Sequence, residues 1–149
     1  ANADEEMAGL TGLNPRQTAL VDKRFESYLN GLRIQPDSVA NRIELTAYKP
    51  NALTYRSSTT SPQLAVFSEI FYRGNEDWKA YVDGKETPHF RANYLLRAMV
   101  VPAGTHTIEF RFEPPAVSTG HTVDLVSSLL LVGFLVLAVV VEVRKKKTA

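Results

Sequence analysis

The side chains in this sequence whose types suit chemistry are three histidines and the acidic residues beside the tryptophan. His89, His106 and His121 each stand alone, with neither HxH nor HExxH spacing, so the sequence predicts no metal site. The chain has no cysteine, which excludes thiolate ligands, iron–sulfur clusters and a cysteine nucleophile. No nucleophile elbow or phosphate-binding glycine loop occurs. We therefore predict no catalytic residue and no cofactor in this segment.

Two carboxylates near an aromatic ring resemble one feature of a sugar site. Asp77 and Asp83 lie close to Trp78, and a carboxylate beside an aromatic face can bind a sugar. Asp83 has a second explanation, because Asp83-Gly84 is a strong signal for a tight hairpin turn. The turn accounts for this aspartate completely.

Aromatic residues are concentrated in one part of the chain. Within 24 positions the sequence contains Phe71, Tyr72, Trp78, Tyr81, Phe90 and Tyr94. Exposed rings would suit carbohydrate, whereas buried rings would fill a core, which is the favoured interpretation for Trp78. Tyr81 is the better candidate for an exposed contact, and Arg91 and Arg97 on the following segments are candidates for the same side. As candidate contacts of a glycan or acceptor we name Tyr72, Trp78, Tyr81, Asp83, Arg91 and Arg97.

The elements that must position these residues are strands. Apolar residues alternate with polar ones over most of residues 18–116, which predicts an extracytoplasmic antiparallel β-sandwich or jelly-roll-like domain and a mainly β fold class. In the last strand we expect Ile108, Phe110 and Phe112 to face inward and Glu109 and Arg111 to face outward. Other predicted strands run from Ile43 past a turn at Lys49-Pro50-Asn51, from Gln63 to Phe71 as a central strand, from Trp78 to Val82, and from Tyr94 to Val101.

The first 17 residues predict a short helical lead-in. Asn2 and Glu5 have the spacing of a capping box, and Asn14-Pro15 resembles a second helix start. Residues 1–6 lack the pattern of a signal peptide. An exported domain then implies that a signal peptide has been removed, or that the chain begins within a multi-pass protein.

A membrane helix is predicted at residues 123–143, after a linker at residues 117–122. Seventeen residues without a charge, Leu125 to Val141, form its centre, and a bilayer core needs about 20. The tail at residues 144–149 begins with Arg144-Lys145-Lys146-Lys147. Because positive residues favour the inner side, we expect a cytoplasmic C-terminus, an outward-facing β-domain and the lipid bilayer as a partner.

Charge argues against nucleic acid as a partner. Residues 1–122 carry 13 basic and 14 acidic side chains, so the part before the membrane helix is close to neutral. A phosphate-binding surface needs a basic patch, and none is visible in this sequence.

Several spaced motifs resemble a known family. Ser68-Glu69 is followed by Trp78 to Gly84, Arg91 to Ala98, Val101 to His106, and Glu109 to Pro114. In order and spacing these resemble the C-terminal region of the YfhO family of bacterial multi-pass membrane proteins. One departure is Asn75-Glu76-Asp77, which separates Gly74 from Trp78 where many members have glycine directly before tryptophan.

The resemblance implies a function that the residues alone do not. YfhO proteins look like GT-C-type glycosyltransferases of the bacterial cytoplasmic membrane, with a polyprenyl-phosphate sugar as donor and an envelope polymer as acceptor. Their catalytic acid lies on an early loop, so no catalytic residue carries over. Partners implied are upstream transmembrane helices and an envelope glycan or lipid-linked sugar. The alternatives are a membrane-tethered carbohydrate-binding or protein-interaction module without enzyme activity, and a purely structural domain.

Overall fold

The computed structural model describes residues 3–34, 40–72 and 74–148 of the chain. It divides into two compact units, Ala1–Glu113 and Pro114–Ala149. We name the described part of the first unit the β-domain, and we treat the second, helical unit by itself.

Within the described residues, eight strands form two antiparallel sheets. Their bounds are β1 Arg42–Lys49, β2 Ala52–Thr59, β3 Gln63–Ile70, β4 Trp78–Val82, β5 Lys85–Glu86, β6 Phe90–Ala92, β7 Leu96–Val101 and β8 Gly104–Phe112. One sheet has the order β1-β2-β8-β4-β5 and the other the order β3-β7-β6. The predicted mainly β fold with antiparallel sheets is confirmed.

The main core lies between the two sheets. Strand periodicity of two places every second side chain in this space. The rings of Phe67 and Phe110 meet there edge to face at 4.9 Å, a geometry that aromatic pairs prefer. The buried members of this core are Leu53, Phe67, Ala80, Met99, Val101, Ile108 and Phe110.

A short 3-10 helix, Lys23–Leu29, supplies a second apolar cluster on the other face of the three-stranded sheet. Asp22 caps this helix, since its carboxylate accepts the N–H of Arg24 at 2.8 Å. Phe25 stacks on the buried ring of Phe90 with 6.0 Å between centroids. The three-stranded sheet is therefore covered on both faces.

β3 lies at an edge of its sheet, so the prediction of a central strand is wrong. Its two apolar faces have another cause. Ala65 and Phe67 belong to the main core, whereas Leu64 and Val66 pack against the second cluster. A strand between two apolar layers needs apolar residues on both faces wherever it sits in the sheet order.

Two short α-helices precede strands of the β-domain. Helix α1 spans Ala3–Gly9, and its predicted N-cap, Asn2, lies outside the described residues. Helix α2 spans Gly74–Asp77 and leads directly into β4.

The helix predicted at Asn14-Pro15 is a single turn. The Asn14 carbonyl accepts the N–H of Thr18 at 2.9 Å, and no helix follows in the described residues before Lys23–Leu29. The chain becomes extended because Leu20 pairs with Asn93. The Leu20 N–H donates to Asn93 Oδ1 at 2.8 Å, and the Asn93 N–H donates to the Leu20 carbonyl at 2.8 Å.

Two hairpin turns use left-handed backbone conformations. Asp83 and Gly84 have φ of +50° and +79°, which confirms the predicted turn between β4 and β5. A second turn, not predicted, has Asn93 at +49° and Tyr94 at +71°. Because Tyr94 is not extended, β7 begins at Leu96 instead of at Tyr94.

β8 is the central strand of the five-stranded sheet. Ile108 and Phe110 are fully buried, as predicted. Phe112 remains 41 % exposed, so its predicted inward burial is only partial. It lies at the end of the strand, where its ring contacts Trp78 at 5.3 Å between centroids.

The second unit is helix α3, Pro115–Thr148. Residues 117–122, expected as a linker, are helical. The helix begins at Pro115, and proline fits the first turn of a helix without loss of a hydrogen bond. Its 34 residues correspond to about 50 Å of length. Among the described residues it is the one helix apolar and long enough to cross a membrane.

Candidate functional site

Pleating of β4 separates its side chains into a buried and an outer row. Trp78, Ala80 and Val82 belong to or pack against the main core, so Lys79 and Tyr81 lie on the outer face of the sheet. The antiparallel register places Lys79 opposite Arg111, and Tyr81 opposite Glu109. We name the resulting group the outer-face cluster: Lys79, Tyr81, Glu86, Glu109, Arg111 and Glu113.

Hydrogen bonds and a cation–π contact fix the geometry of the outer-face cluster. The Tyr81 hydroxyl donates to Glu113 Oε2 at 2.9 Å. The guanidinium carbon of Arg111 lies 4.6 Å from the Tyr81 ring centroid. Nη2 of Arg111 donates to Glu109 Oε2 at 2.6 Å. The hydrogen bond to the Glu113 carboxylate raises the pKa of Tyr81 above the ordinary value of a phenol.

The outer-face cluster has the composition of a polar binding surface. Carboxylates accept hydrogen bonds from hydroxyl groups, guanidinium and ammonium groups donate them, and an aromatic ring offers an apolar face. The described residues contain no group of His, Asp and Glu side chains that could hold a metal ion. The cluster thus presents hydrogen-bond donors, acceptors and one aromatic ring side by side on the outer face of the sheet.

Asp83, one of the predicted contacts, ties its turn to β8. Its Oδ1 accepts the N–H of Thr107 at 2.9 Å, and its Oδ2 lies 2.6 Å from Nδ1 of His106. The other ring nitrogen of His106 lies 2.9 Å from the carbonyl of Ala103. Both partners of the imidazole are acceptors, so the doubly protonated ring satisfies both contacts. The hydrogen bond to Asp83 raises the pKa of His106, and His106 lowers the pKa of Asp83.

We expect the contact between Asp83 and His106 to weaken above pH 6.5. A raised folded-state pKa means that the stabilisation is complete below the ordinary histidine value of 6.5 and is lost as the pH rises through the folded value. Between pH 6 and pH 8 the unfolding temperature of the wild type should fall more than that of His106→Gln. Thermal unfolding across this range measures the effect. His121→Gln, on α3, is the matched control, and a fall that persists in His106→Gln would contradict this assignment.

Trp78 and Arg97 meet inside the β-domain. Arg97 is 3 % exposed, and its guanidinium carbon lies 4.0 Å from the Trp78 ring centroid. Its Nε donates to the carbonyl of Ile70 at 2.9 Å, and burial lowers the pKa of the guanidinium. Arg97 alternates along β7 with Ala98, which faces the second cluster, so Arg97 must face the five-stranded sheet. It does not share the exposed face of Tyr81 that the sequence suggested.

Arg91 and Tyr72 lie in other places. Arg91 donates from Nη2 to Glu6 Oε2 at 2.8 Å, and Glu6 itself is only 6 % exposed. This ion pair connects α1 to β6. Tyr72 follows β3 and is 63 % exposed. The six predicted contacts are therefore distributed over both sheets and the segment after β3, and of these six only Tyr81 belongs to the outer-face cluster.

Comparison with known proteins assigns the chain to a family. A family model described as the bacterial membrane protein YfhO matches residues 30–124, which is more than half of the chain. The chain belongs to the YfhO family. This confirms the resemblance seen in the sequence motifs.

The YfhO chain also resembles an uncharacterized protein of Archaeoglobus fulgidus. The two are 33 % identical over 89 residues, which cover 58 % of this chain and 25 % of that protein. The chain thus spans about a quarter of the length of this relative. No solved structure matches the chain.

The sequence missed most of the outer-face cluster of this YfhO domain. Glu109 and Arg111 were predicted to point outward, but their proximity to Tyr81 depends on the pairing of β4 with β8. That pairing joins residues about 30 positions apart, and alternation within one strand does not reveal it. Alternation gave only a partial signal: it places Tyr81 and Glu109 on the outer rows of their own strands without showing that the two strands pair.

Proposed function

We propose that the chain is the C-terminal extracytoplasmic β-domain and membrane helix of a YfhO-family glycosyltransferase. The parent protein would transfer a sugar from a polyprenyl-phosphate donor to a polymer of the cell envelope. The β-domain would be a non-catalytic part on the acceptor side, with the bilayer and further transmembrane helices of the parent chain as partners. Membership of the YfhO family and the apolar helix α3 support this proposal.

The outer-face cluster is the observation that carries the acceptor role. A hydroxyl, two cations and three carboxylates lie together on one sheet face, with Tyr81 held between Arg111 and Glu113. Sugar hydroxyls can replace such side-chain partners without loss of hydrogen bonds, whereas an apolar ligand cannot. The charges are mixed in sign, which suits a largely neutral glycan.

The orientation rests on the residues after the apolar stretch of α3. Arg144, Lys145 and Lys146 follow one another directly at its C-terminal end. Basic residues next to a membrane helix favour the cytoplasmic side, which would place the β-domain outside. Reporter fusions at the C-terminus test this orientation, and an extracytoplasmic C-terminus would overturn it.

We expect Tyr81→Ala and Arg111→Ala to reduce glycan binding by about tenfold each, which corresponds to about 1.4 kcal/mol. Calorimetric titration of the whole chain in lipid nanodiscs with soluble fragments of envelope polymers measures the binding. Arg56→Ala is the matched control. Arg56 is exposed on the same sheet. It lies four residues along β2 from Ala52, which is the residue that pairs with Arg111. Equal affinities for all four proteins would exclude the outer-face cluster as a glycan site.

The alternative is a tethered carbohydrate-binding module with no role in sugar transfer. The outer-face cluster supports this alternative as well as it supports the glycosyltransferase proposal, because recognition of a glycan by these side chains requires no catalytic step. Sugar transfer by the complete parent protein separates the two. Under the first proposal Tyr81→Ala and Arg111→Ala lower transfer to the acceptor, while under the alternative they lower binding and leave transfer unchanged.

A further inference from the structure

Two dipeptides in the chain place glycine directly after an asparagine or an aspartate, namely Asn30-Gly31 and Asp83-Gly84. Because glycine has no Cβ, its backbone nitrogen is easily reached by the side chain of the residue before it. Attack by that nitrogen on the side-chain Cγ closes a five-membered succinimide ring. The residue types give both sites this reactivity, and the fold decides which of them can react.

Asn30 and Gly31 form an exposed turn at the end of the 3-10 helix Lys23–Leu29. Asn30 has φ of −59° and ψ of 123°, and Gly31 has φ of +78°, which are the angles of a type II turn. A backbone hydrogen bond closes the turn, from the Leu32 N–H to the Leu29 carbonyl at 3.0 Å. Apart from its chain neighbours, no described residue comes within 4 Å of the position that a Cβ on Gly31 would take.

The side chain of Asn30 is not held in place. It is exposed, and in the described part of the chain no hydrogen bond fixes its amide. The ψ of 123° keeps the Gly31 nitrogen turned away from Cγ of Asn30, so ring closure requires rotation of the peptide between them. The hydrogen bond between Leu32 and Leu29 opposes this rotation, but exposed turns open locally at little cost in free energy. We therefore expect reaction from the opened turn.

Asp83-Gly84 has a similar steric freedom but a fixed side chain. Oδ1 of Asp83 accepts the N–H of Thr107 at 2.9 Å, and Oδ2 lies 2.6 Å from Nδ1 of His106. The Asp83 N–H also donates to the Thr107 carbonyl at 2.9 Å. Ring closure would break the contacts of the carboxylate, which is in addition a poor electrophile for a nitrogen nucleophile. The fold therefore protects this second site.

We propose that Asn30 is a site of spontaneous deamidation in the folded chain, whereas Asp83 is protected from the same chemistry. The Gly31 nitrogen bonds to Cγ of Asn30, the bond from Cγ to Nδ2 breaks, and the proton of the Gly31 N–H leaves with the side-chain amide as ammonia. Water then opens the ring. Hydrolysis at Cγ gives aspartate, and hydrolysis at the backbone carbonyl carbon gives isoaspartate. Water is the other reactant, and no atom is oxidised or reduced.

The modification would act on the second apolar cluster. Leu29 packs against this cluster, and Tyr28 stacks on the buried ring of Phe90 with 5.3 Å between centroids. Isoaspartate adds one carbon atom to the backbone of the turn that follows these residues, and aspartate adds a negative charge at the carbonyl end of the helix. Deamidation should therefore loosen the cover that Lys23–Leu29 forms over the three-stranded sheet. This inference is independent of the proposed sugar transfer.

Incubation of the whole chain in lipid nanodiscs with water enriched in heavy oxygen tests the proposal, because each ring opening takes up one oxygen atom from water. Trypsin, applied afterwards in ordinary water, releases the three relevant residues on separate peptides: Asn30 on residues 25–33, Asp83 on residues 80–85 and Asn51 on residues 43–56. Asn51 is the matched control, since it lies in an exposed turn but precedes Ala52. Mass spectrometry should show label at Asn30 about tenfold faster than at Asn51 or Asp83.

A synthetic peptide of residues 25–33 gives the rate without the fold. The folded chain should react more slowly than this peptide, because the turn must open first. In urea the chain should approach the rate of the peptide, and Asp83 should begin to take up label as its contacts are lost. Label at Asn30 no faster than at Asn51 in the folded chain would overturn the proposal, and so would label at Asp83 at the rate of Asn30.

Hydrogen exchange measures the structural consequence. The amides of Phe25 to Leu29 should exchange faster in the modified chain than in the fresh one. Asn30→Ser removes the reacting amide and should keep its initial exchange rates through the same incubation. Unchanged exchange in a chain that has become modified at Asn30 would contradict the proposed loosening of the second cluster.

Discussion

Acidification from pH 7 to pH 4 is expected to destabilise the β-domain by about 3 kcal/mol through one buried histidine. His89 is 1 % exposed and lies against the rings of Phe71 and Phe110, at 5.3 and 5.5 Å between centroids. Burial lowers the pKa of His89 to about 4, with a smaller contribution from the nearby charge of Arg97. The fold thus requires the neutral ring.

The direction of this pH effect follows from the protonation of His89 in the unfolded and in the folded chain. In the unfolded chain the ring takes up its proton near pH 6.5, while in the folded chain it stays neutral until about pH 4. Stability from His89 is therefore complete above pH 6.5 and is lost as the pH falls between these values. His106 acts in the opposite direction above pH 6.5, where its contribution to stability is lost as the pH rises.

Urea unfolding at several pH values measures the effect, and Trp78 is a convenient fluorescent probe because it is the one tryptophan of the chain. His89→Leu should show a free energy of unfolding that is nearly constant between pH 7 and pH 4.5. His106→Gln is the control and should keep the acid loss of the wild type. Equal acid loss in His89→Leu would show that other groups are responsible.

Phe110→Ala is expected to lower the free energy of unfolding by about 3–5 kcal/mol, a cost typical of a large aromatic side chain deleted from a core. Phe110 is fully buried on the central strand β8. Its ring contacts Phe67, Tyr55 and His89, and the guanidinium of Arg97 lies 5.3 Å from its centroid. Its removal leaves a cavity that both sheets border and neither can easily fill.

Phe112→Ala is the matched control for this experiment. It removes the same side chain two positions further along β8, where the ring is 41 % exposed. We expect a loss of about 1 kcal/mol, because much of this ring is already in contact with water. Urea unfolding of the two variants measures the difference. Similar losses would mean that the core is not centred on Phe110.

The sequence predicts local features of this fold well and long-range ones poorly. The Asp83-Gly84 turn follows from backbone sterics, which neighbouring residues determine. The outward direction of Glu109 and Arg111 follows from strand alternation in the same way. In contrast, alternation does not reveal which sheet a strand joins. Arg97 was therefore expected on the surface, although it lies between the sheets against Trp78.

The second cluster shows the same limit. The segment Lys23–Leu29 carries no strong helical periodicity, and its role becomes visible only where Phe25 meets Phe90, 65 positions later. Apolar residues on both faces of β3 predicted a central strand because a covering helical segment was not foreseen. Of the candidate site, Tyr81 could be found from the sequence, whereas its partners required the register between β4 and β8.

The position of β8 has a consequence for the order of events during synthesis. It is the last strand of the domain to be made, yet it separates β2 from β4 at the centre of the larger sheet. Until it is made, β2 and β4 have no common neighbour, and the larger sheet must wait for contacts between residues far apart in sequence. Helix α3 begins at Pro115, three residues after β8 ends. The β-domain is therefore completed immediately before α3 is made, and truncation before Gly104 removes the central strand from the fold.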